Sequence, residues 1–149
     1  MQKVFEILPL IGIANLKFGM SREESRISVL EPFSEHSNNK NADCYYNYSL
    51  QVFFDETGKL EFIEISRDED IEAVFRGRNV FKIPANDLIE EICQSFQLDV
   101  NDDELGYCFT FPDIELSFWR PVIPEDENDE DGKYFSTVGI GRKGYFIRK

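Results

Sequence analysis

Basic residues are scarce in this sequence. Sixteen Lys and Arg stand against 29 Asp and Glu, a formal net charge of −13 over 149 residues. A nucleic-acid binder needs a basic footprint to meet phosphate, and this surface would repel it, so nucleic acid is excluded as a partner. Histidine is almost absent. A Ser–His triad, a Cys–His pair or a histidine-based metal site would each have to use His36, the only one. It lies in Ser34-Glu35-His36-Ser37-Asn38-Asn39, a polar stretch that reads as a solvated loop. The three cysteines, Cys44, Cys93 and Cys108, form no C-x-x-C. Neither a zinc site nor a redox dithiol is signalled, and such cysteines suit small buried positions in a reducing cytosol. Nowhere do about 18 uncharged apolar residues run together, so no transmembrane helix and no membrane association are expected. The opening Met1-Gln2-Lys3-Val4-Phe5-Glu6-Ile7-Leu8-Pro9 is cut by Glu6 and Pro9 and does not read as a secretory signal. A cytoplasmic protein is expected.

What is present is core material. Hydrophobic residues make up 42% of the chain, with 14 Phe and 6 Tyr, enough to exclude a disordered chain. No Gly/Ser linker divides it, and a single domain over 1–149 is expected, a size that buries about 68–70% of the surface of the unfolded chain. The clearest periodicity starts at Pro84, where Ala85, Leu88, Ile89, Ile92, Cys93 and Phe96 form one helical stripe. Pro84 suits the first helical position. An earlier helix is announced by Ser21-Arg22-Glu23-Glu24, a capping box. Ile27, Leu30 and Phe33 are its expected apolar face, and Pro32 stops it. The remainder reads as strands: Tyr46 to Phe54, a turn at Asp55 to Lys59, then Leu60 to Ile65. Further strands are expected either side of Gly77, at Tyr107 to Phe111, Ile114 to Trp119, Tyr134 to Ile140 and Tyr145 to Ile147. The fold class is therefore α+β, antiparallel sheet with two main helices. A shift that lays Phe18 on Phe81, Phe33 on Phe96, and Tyr46 and Tyr48 on Phe109 and Phe111 suggests two tandem helix-plus-sheet repeats, about 14–78 and 79–149.

Few constellations carry chemistry. Glu23, Glu24, Glu61, Glu64 and Asp68 to Asp70 offer carboxylates for a glycosidase-type pair, but 29 acids make chance pairs. Gly139-Ile140-Gly141-Arg142-Lys143-Gly144 has the spacing of a dinucleotide loop without a following helix, and reads as hairpin punctuation. Glu125-Asp126-Glu127-Asn128-Asp129-Glu130-Asp131-Gly132 packs six acids into eight residues. Against a calcium loop, the bidentate Glu expected at the twelfth position is Val138, so no metal site is signalled. The run is either a solubilising loop or a prong for a basic partner.

Ile11-Gly12-Ile13-Ala14-Asn15-Leu16-Lys17-Phe18-Gly19-Met20-Ser21-Arg22-Glu23-Glu24 resembles a bacterial helix-entry signature. It is found in proteins of the β-lactamase-inhibitor-like and outer-membrane-assembly-lipoprotein type. Gly19, Met20, Ser21, Leu30 and Pro32 match it, while Glu31 replaces the usual glycine. The resemblance implies one or two helices on an antiparallel sheet, sometimes duplicated; no lipobox cysteine is present, so membrane assembly is not carried over. The stretch from Leu116 through Trp119-Arg120-Pro121 to Lys143-Gly144-Tyr145-Phe146 looks like small acidic cytoplasmic bacterial proteins, some of which are immunity proteins that neutralise a toxin. This likeness and the acidic charge together imply a non-enzymatic protein-binding module, with no catalytic residue, metal or cofactor. Its expected partner is a basic protein, met by Trp119, Arg120, Glu125, Asp126, Glu127, Asp129, Glu130 and Asp131. The alternatives are an enzyme using paired carboxylates and a structural or regulatory module.

Overall fold

The opening segment forms strand β1 (Lys3–Leu8) because Phe5 and Ile7 alternate with exposed neighbours and turn inward. The computed structural model describes residues 3–146. Short strands β2 (Gly12–Ile13) and β3 (Leu16–Lys17) fold back beside β1. Helix α1 (Arg22–Val29) opens on the expected capping box: Ser21 Oγ accepts from the Glu24 amide at 3.1 Å, and the Ser21 amide donates to Glu24 Oε1 at 3.1 Å. Its expected apolar face is a correction. Ile27, Leu30 and Phe33 are exposed, Leu30 to 81%. The inward face is Arg22, Ser25, Arg26 and Val29, of which Ser25 and Val29 are buried. This helix docks by charge, so apolar periodicity pointed to the wrong side of it.

Strand β4 (Phe33–Glu35) runs into the 34–39 stretch expected to be loop, and β5 (Ala42–Tyr45) follows it. Tyr46, Asn47 and Tyr48 then take left-handed backbone, with φ of 52°, 54° and 72°. The strand expected from Tyr46 therefore starts only at Leu50, as β6 (Leu50–Phe54). The turn at 55–59 leads to β7 (Leu60–Ser66), followed by β8 (Ile71–Phe75) and β9 (Arg78–Asn79) around Gly77. Helix α2 (Ala85–Cys93) buries Ala85, Leu88, Ile89 and Ile92. Pro84 is its N-cap, with extended ψ of 134°, and not its first helical residue. Cys93, expected on the buried stripe, is exposed. The helix stops there, and Phe96 reaches the core from the turn beyond it. Strand β10 (Cys108–Phe111) continues through a 3-10 turn (Pro112–Ile114) to β11 (Leu116–Trp119), and β12 (Thr137–Gly141) comes after the acidic loop. Of the expected last strand, Ile147 lies outside the described residues, as do Met1 and Gln2; Tyr145 and Phe146 are not in a strand.

The strands form two sheets. The larger has the order β10-β11-β12-β7-β6-β5-β4, all antiparallel. The smaller has the order β3-β2-β1-β8-β9, and its β1–β8 pair is parallel, the one departure from the antiparallel expectation. The fold is α+β. A helix precedes each of two meanders, α1 before β4–β7 and α2 before β10–β12, and the meanders meet at the β7–β12 pair. The alignment of Tyr46 and Tyr48 with Phe109 and Phe111 lays a left-handed turn on a strand. One contiguous cluster of buried side chains, from Phe5 to Ile140, joins both sheets and both helices.

Candidate binding surface

Register divides the larger sheet into two faces. Val52, Ile63, Ile140, Leu116 and Phe111 pair in sequence across β6, β7, β12, β11 and β10 and look into the core. On β5 the same inner side carries Asp43 and Tyr45. Asp43 is fully buried, and α1 answers it with two arginines one turn apart. Arg22 Nη2 donates to Oδ1 at 2.7 Å, and Arg26 Nε donates to Oδ2 at 2.8 Å. Burial pushes the Asp43 carboxyl up; the hydrogen bonds and charges of Arg26 and Arg22 outweigh it and hold the carboxyl below the usual range. Beside it, burial raises the Tyr45 hydroxyl to about 12.

The opposite, outer face is organised in cross-strand rows. One row reads Cys44, Gln51, Glu64, Gly139, Ser117, Thr110. On one side of it runs Ala42, Phe53, Phe62, Gly141; on the other Ser66, Thr137, Trp119, Cys108. The two glycines, expected as hairpin punctuation, are inside β12. A Cβ on Gly139 would stand 2.6 Å from Phe62 Cζ, so the missing side chain is what lets the Phe62 ring lie over the sheet. Tyr145 stacks on Phe62 with ring centroids 4.5 Å apart and planes 6° from parallel. The segment bearing Tyr145 is held by buried Glu115, whose carboxylate accepts from the Gly144 amide at 2.8 Å and the Phe146 amide at 2.9 Å. His36 is not the free loop residue expected. Its ring is edge-on to Tyr48 at 5.9 Å and tilted against Phe53 at 6.2 Å.

The expected site residues fall into three groups. Trp119 ends β11 on the outer face, 41% exposed. Arg120, one residue on, points the other way and is 3% exposed, which removes it from any contact surface. Its Nε donates to the Gly106 carbonyl at 2.8 Å and its Nη1 to the Gly132 carbonyl at 3.0 Å, with the guanidinium over the Phe109 ring. Burial lowers its pKa. It is the tie that fastens the loop entering β10 to the loop leaving β11, at the Cys108–Trp119 end of that pair. Gly132 is obligatory in the same place, since a Cβ there would stand 1.9 Å from the Val122 carbonyl oxygen. The acids form the third group. Glu125, Asp126, Glu127, Glu130 and Asp131 are exposed, while Asp129 is half-buried and organises them. Its carboxylate accepts from the amides of Glu125 at 3.1 Å and Asp131 at 2.9 Å, hydrogen bonds that lower its pKa. Pro84, Asn86 and Asp87 at the start of α2 face Glu125, Asp126 and Glu127 across an open cleft of about 590 Å³. The acids and Trp119 thus sit at one end of the larger sheet but towards its opposite faces.

Three of the other carboxylates singled out in the sequence serve local structure. Glu24 caps α1, Asp68 accepts from Ser49 Oγ at 2.7 Å, and Glu61 lies 3.5 Å from Arg142. Glu64 is different: among the described residues its carboxylate has no hydrogen bond or ion pair, only the electrostatic pull of His36. Nothing in the sequence separated it from the other acids. Its one signal is that it alternates with Ile63 and Ile65, which sends it to the far side of a strand that both sheet halves share. Among the described residues no three His, Cys, Asp or Glu side chains converge to hold a metal, and no helix is long and apolar enough to cross a membrane. The chain matches no protein-family model, no curated protein and no solved structure.

Proposed function

We propose that the protein is a non-enzymatic binding module for a basic protein, acting by occlusion as an immunity-type inhibitor acts on a toxin. The observation that carries this reading is the preorganised acidic loop. Five exposed carboxylates project from a turn whose shape is fixed by Asp129, Gly132 and the buried Arg120 beneath it. A solubilising loop needs no such scaffold, whereas an interface gains affinity from not having to order its loop on binding. The net charge of −13 adds long-range attraction for a cationic partner. The outer face of the larger sheet supplies the seat, since its aromatic side chains are the kind that anchor interfaces.

The test is capture from the native host with the tagged protein at low salt, followed by kinetics on the purified partner. A protein of high pI is expected, with an association rate that falls steeply as salt rises. Converting Glu125, Asp126, Glu127, Glu130 and Asp131 to their amides should slow association about tenfold while leaving dissociation nearly unchanged. Recovery of no basic protein at low salt overturns the reading.

A further inference from the structure

The outer face has the shape of a shallow trough. Its floor runs from Glu64 through Gly139, over which the Phe62 ring leans, to the small residues Ser117 and Thr110. The Phe62–Tyr145 stack and Phe53 rise along one side, and Trp119 stands at the far end of the other. Phe62 and Ser66, the β7 members of the two flanking rows, are four residues apart, which at about 3.4 Å per residue sets the rows about 14 Å apart, and the Phe62 ring leaning over Gly139 narrows the gap between them. Strands β5, β6, β10, β11 and β12 contribute no charged side chain to this face, so Glu64 is the charge at its centre.

A carboxylate in this position has given up part of its hydration and received in exchange only the electrostatic pull of His36. On the inner side of the same sheet, Asp43 is buried together with two guanidiniums that satisfy it. Glu64 has no such partner within the described chain, although many other acids find hydrogen-bond or ion-pair partners, among them Glu24, Asp43, Asp55, Asp68, Glu115 and Asp129. The chemistry that would complete it is a planar cation able to hydrogen-bond the carboxylate and lie against aromatic rings. A guanidinium does both; an ammonium, more strongly hydrated and with no plane to stack, does so less well.

We infer that Glu64 is the seat for an arginine side chain of the basic partner, held over the sheet beside the Phe53 and Phe62 rings. This rests on the basic-partner reading and locates its central contact on the outer face, away from the acidic loop. Burial already holds the Glu64 carboxyl above its ordinary range, so a bound guanidinium acts on it in the opposite direction.

The experiment is a titration of the full chain with hexa-arginine and with hexalysine peptides at low and at physiological salt. It is read by NMR at the Glu64 side-chain carboxyl, the Phe53 and Phe62 rings, and the carboxyls of 125–131. Hexa-arginine should give a saturable shift at Glu64 and both rings that persists at physiological salt, with hexalysine several-fold weaker there. The Glu64 titration midpoint should fall in the complex. Glu64→Gln, which keeps shape and the strand, should weaken the outer-face binding about tenfold or more with an unchanged urea midpoint. If only the carboxyls of 125–131 respond, or if Glu64→Gln binds as before, the Glu64 seat is overturned while the acidic-loop reading stands. If neither region responds at low salt, both readings fall.

Discussion

Asp43 and Cys93 show how a residue's environment reverses what its type suggests. Asp43 sits among the buried side chains of β5, yet Arg22 and Arg26 keep it charged. Its folded-state pKa lies below the unfolded value of about 3.9, so the stability it contributes is present above that pH and is lost as pH falls through the folded value. Asp43→Asn leaves two arginines facing a neutral group and should cost about 3–5 kcal/mol at pH 7, measured by urea unfolding. The gap between variant and parent should narrow as the pH drops below about 4. Cys93 makes the converse point. Its place on the helical stripe suggests that a serine there would bury a hydroxyl, but the thiol is exposed. Cys93→Ser should therefore change stability by no more than about 0.5 kcal/mol, while Ile92→Ala, one residue away and buried, should cost about 2–5 kcal/mol.

At the scale of elements, the two helices are attached in different ways. Helix α2 is an ordinary amphipathic helix whose apolar face enters the common core, and its periodicity placed it correctly to within its last turn. Helix α1 has a capping box and a charged inner face, and little apolar surface fastens it. Ser21→Ala should remove about 1 kcal/mol by freeing the Glu24 amide. Hydrogen exchange should show α1 opening more readily than α2, at low and at high salt alike, because salt screens the buried Arg–Asp43 contact little. Strand β12 owes its place to what it lacks. Gly139→Ala should push the Phe62 ring off the sheet and break its stack with Tyr145, which a change in the near-ultraviolet circular dichroism would report.

For the whole molecule, the decisive pairing is β7 with β12, because it fuses the two meanders into one sheet over one cluster of buried side chains. Unfolding should accordingly be a single transition. Trp119 fluorescence, which reports the β11 end of the sheet, should give the same urea midpoint as far-ultraviolet circular dichroism, which reports both helices. Two separate midpoints would mean that the halves fold independently. The parallel β1–β8 pair ties the opening strand to the middle of the chain, so removing β1 should destabilise the smaller sheet as a whole.

Features that depend on neighbours in the chain were legible in the sequence itself. The charge, the Ser21 capping box, the α2 stripe, the 55–59 turn and the hairpin strand after it each rest on residues within a few positions of one another, where backbone geometry fixes who meets whom. The acidic loop was visible for the same reason. The tertiary structure alone decided the rest. Arg22 and Arg26 meet Asp43 across 21 and 17 residues, and the row from Cys44 to Thr110 is assembled by six strands in an order that no local pattern encodes. Arg120 has the composition of a surface contact and becomes a buried tie because two distant glycine carbonyls converge on it. Glu64 looks like any other acid in the sequence. It becomes singular only when β6 and β12 close on either side of β7, because burial and the lack of a hydrogen-bonded or ion-paired partner among the described residues are properties of the assembled sheet and not of the strand.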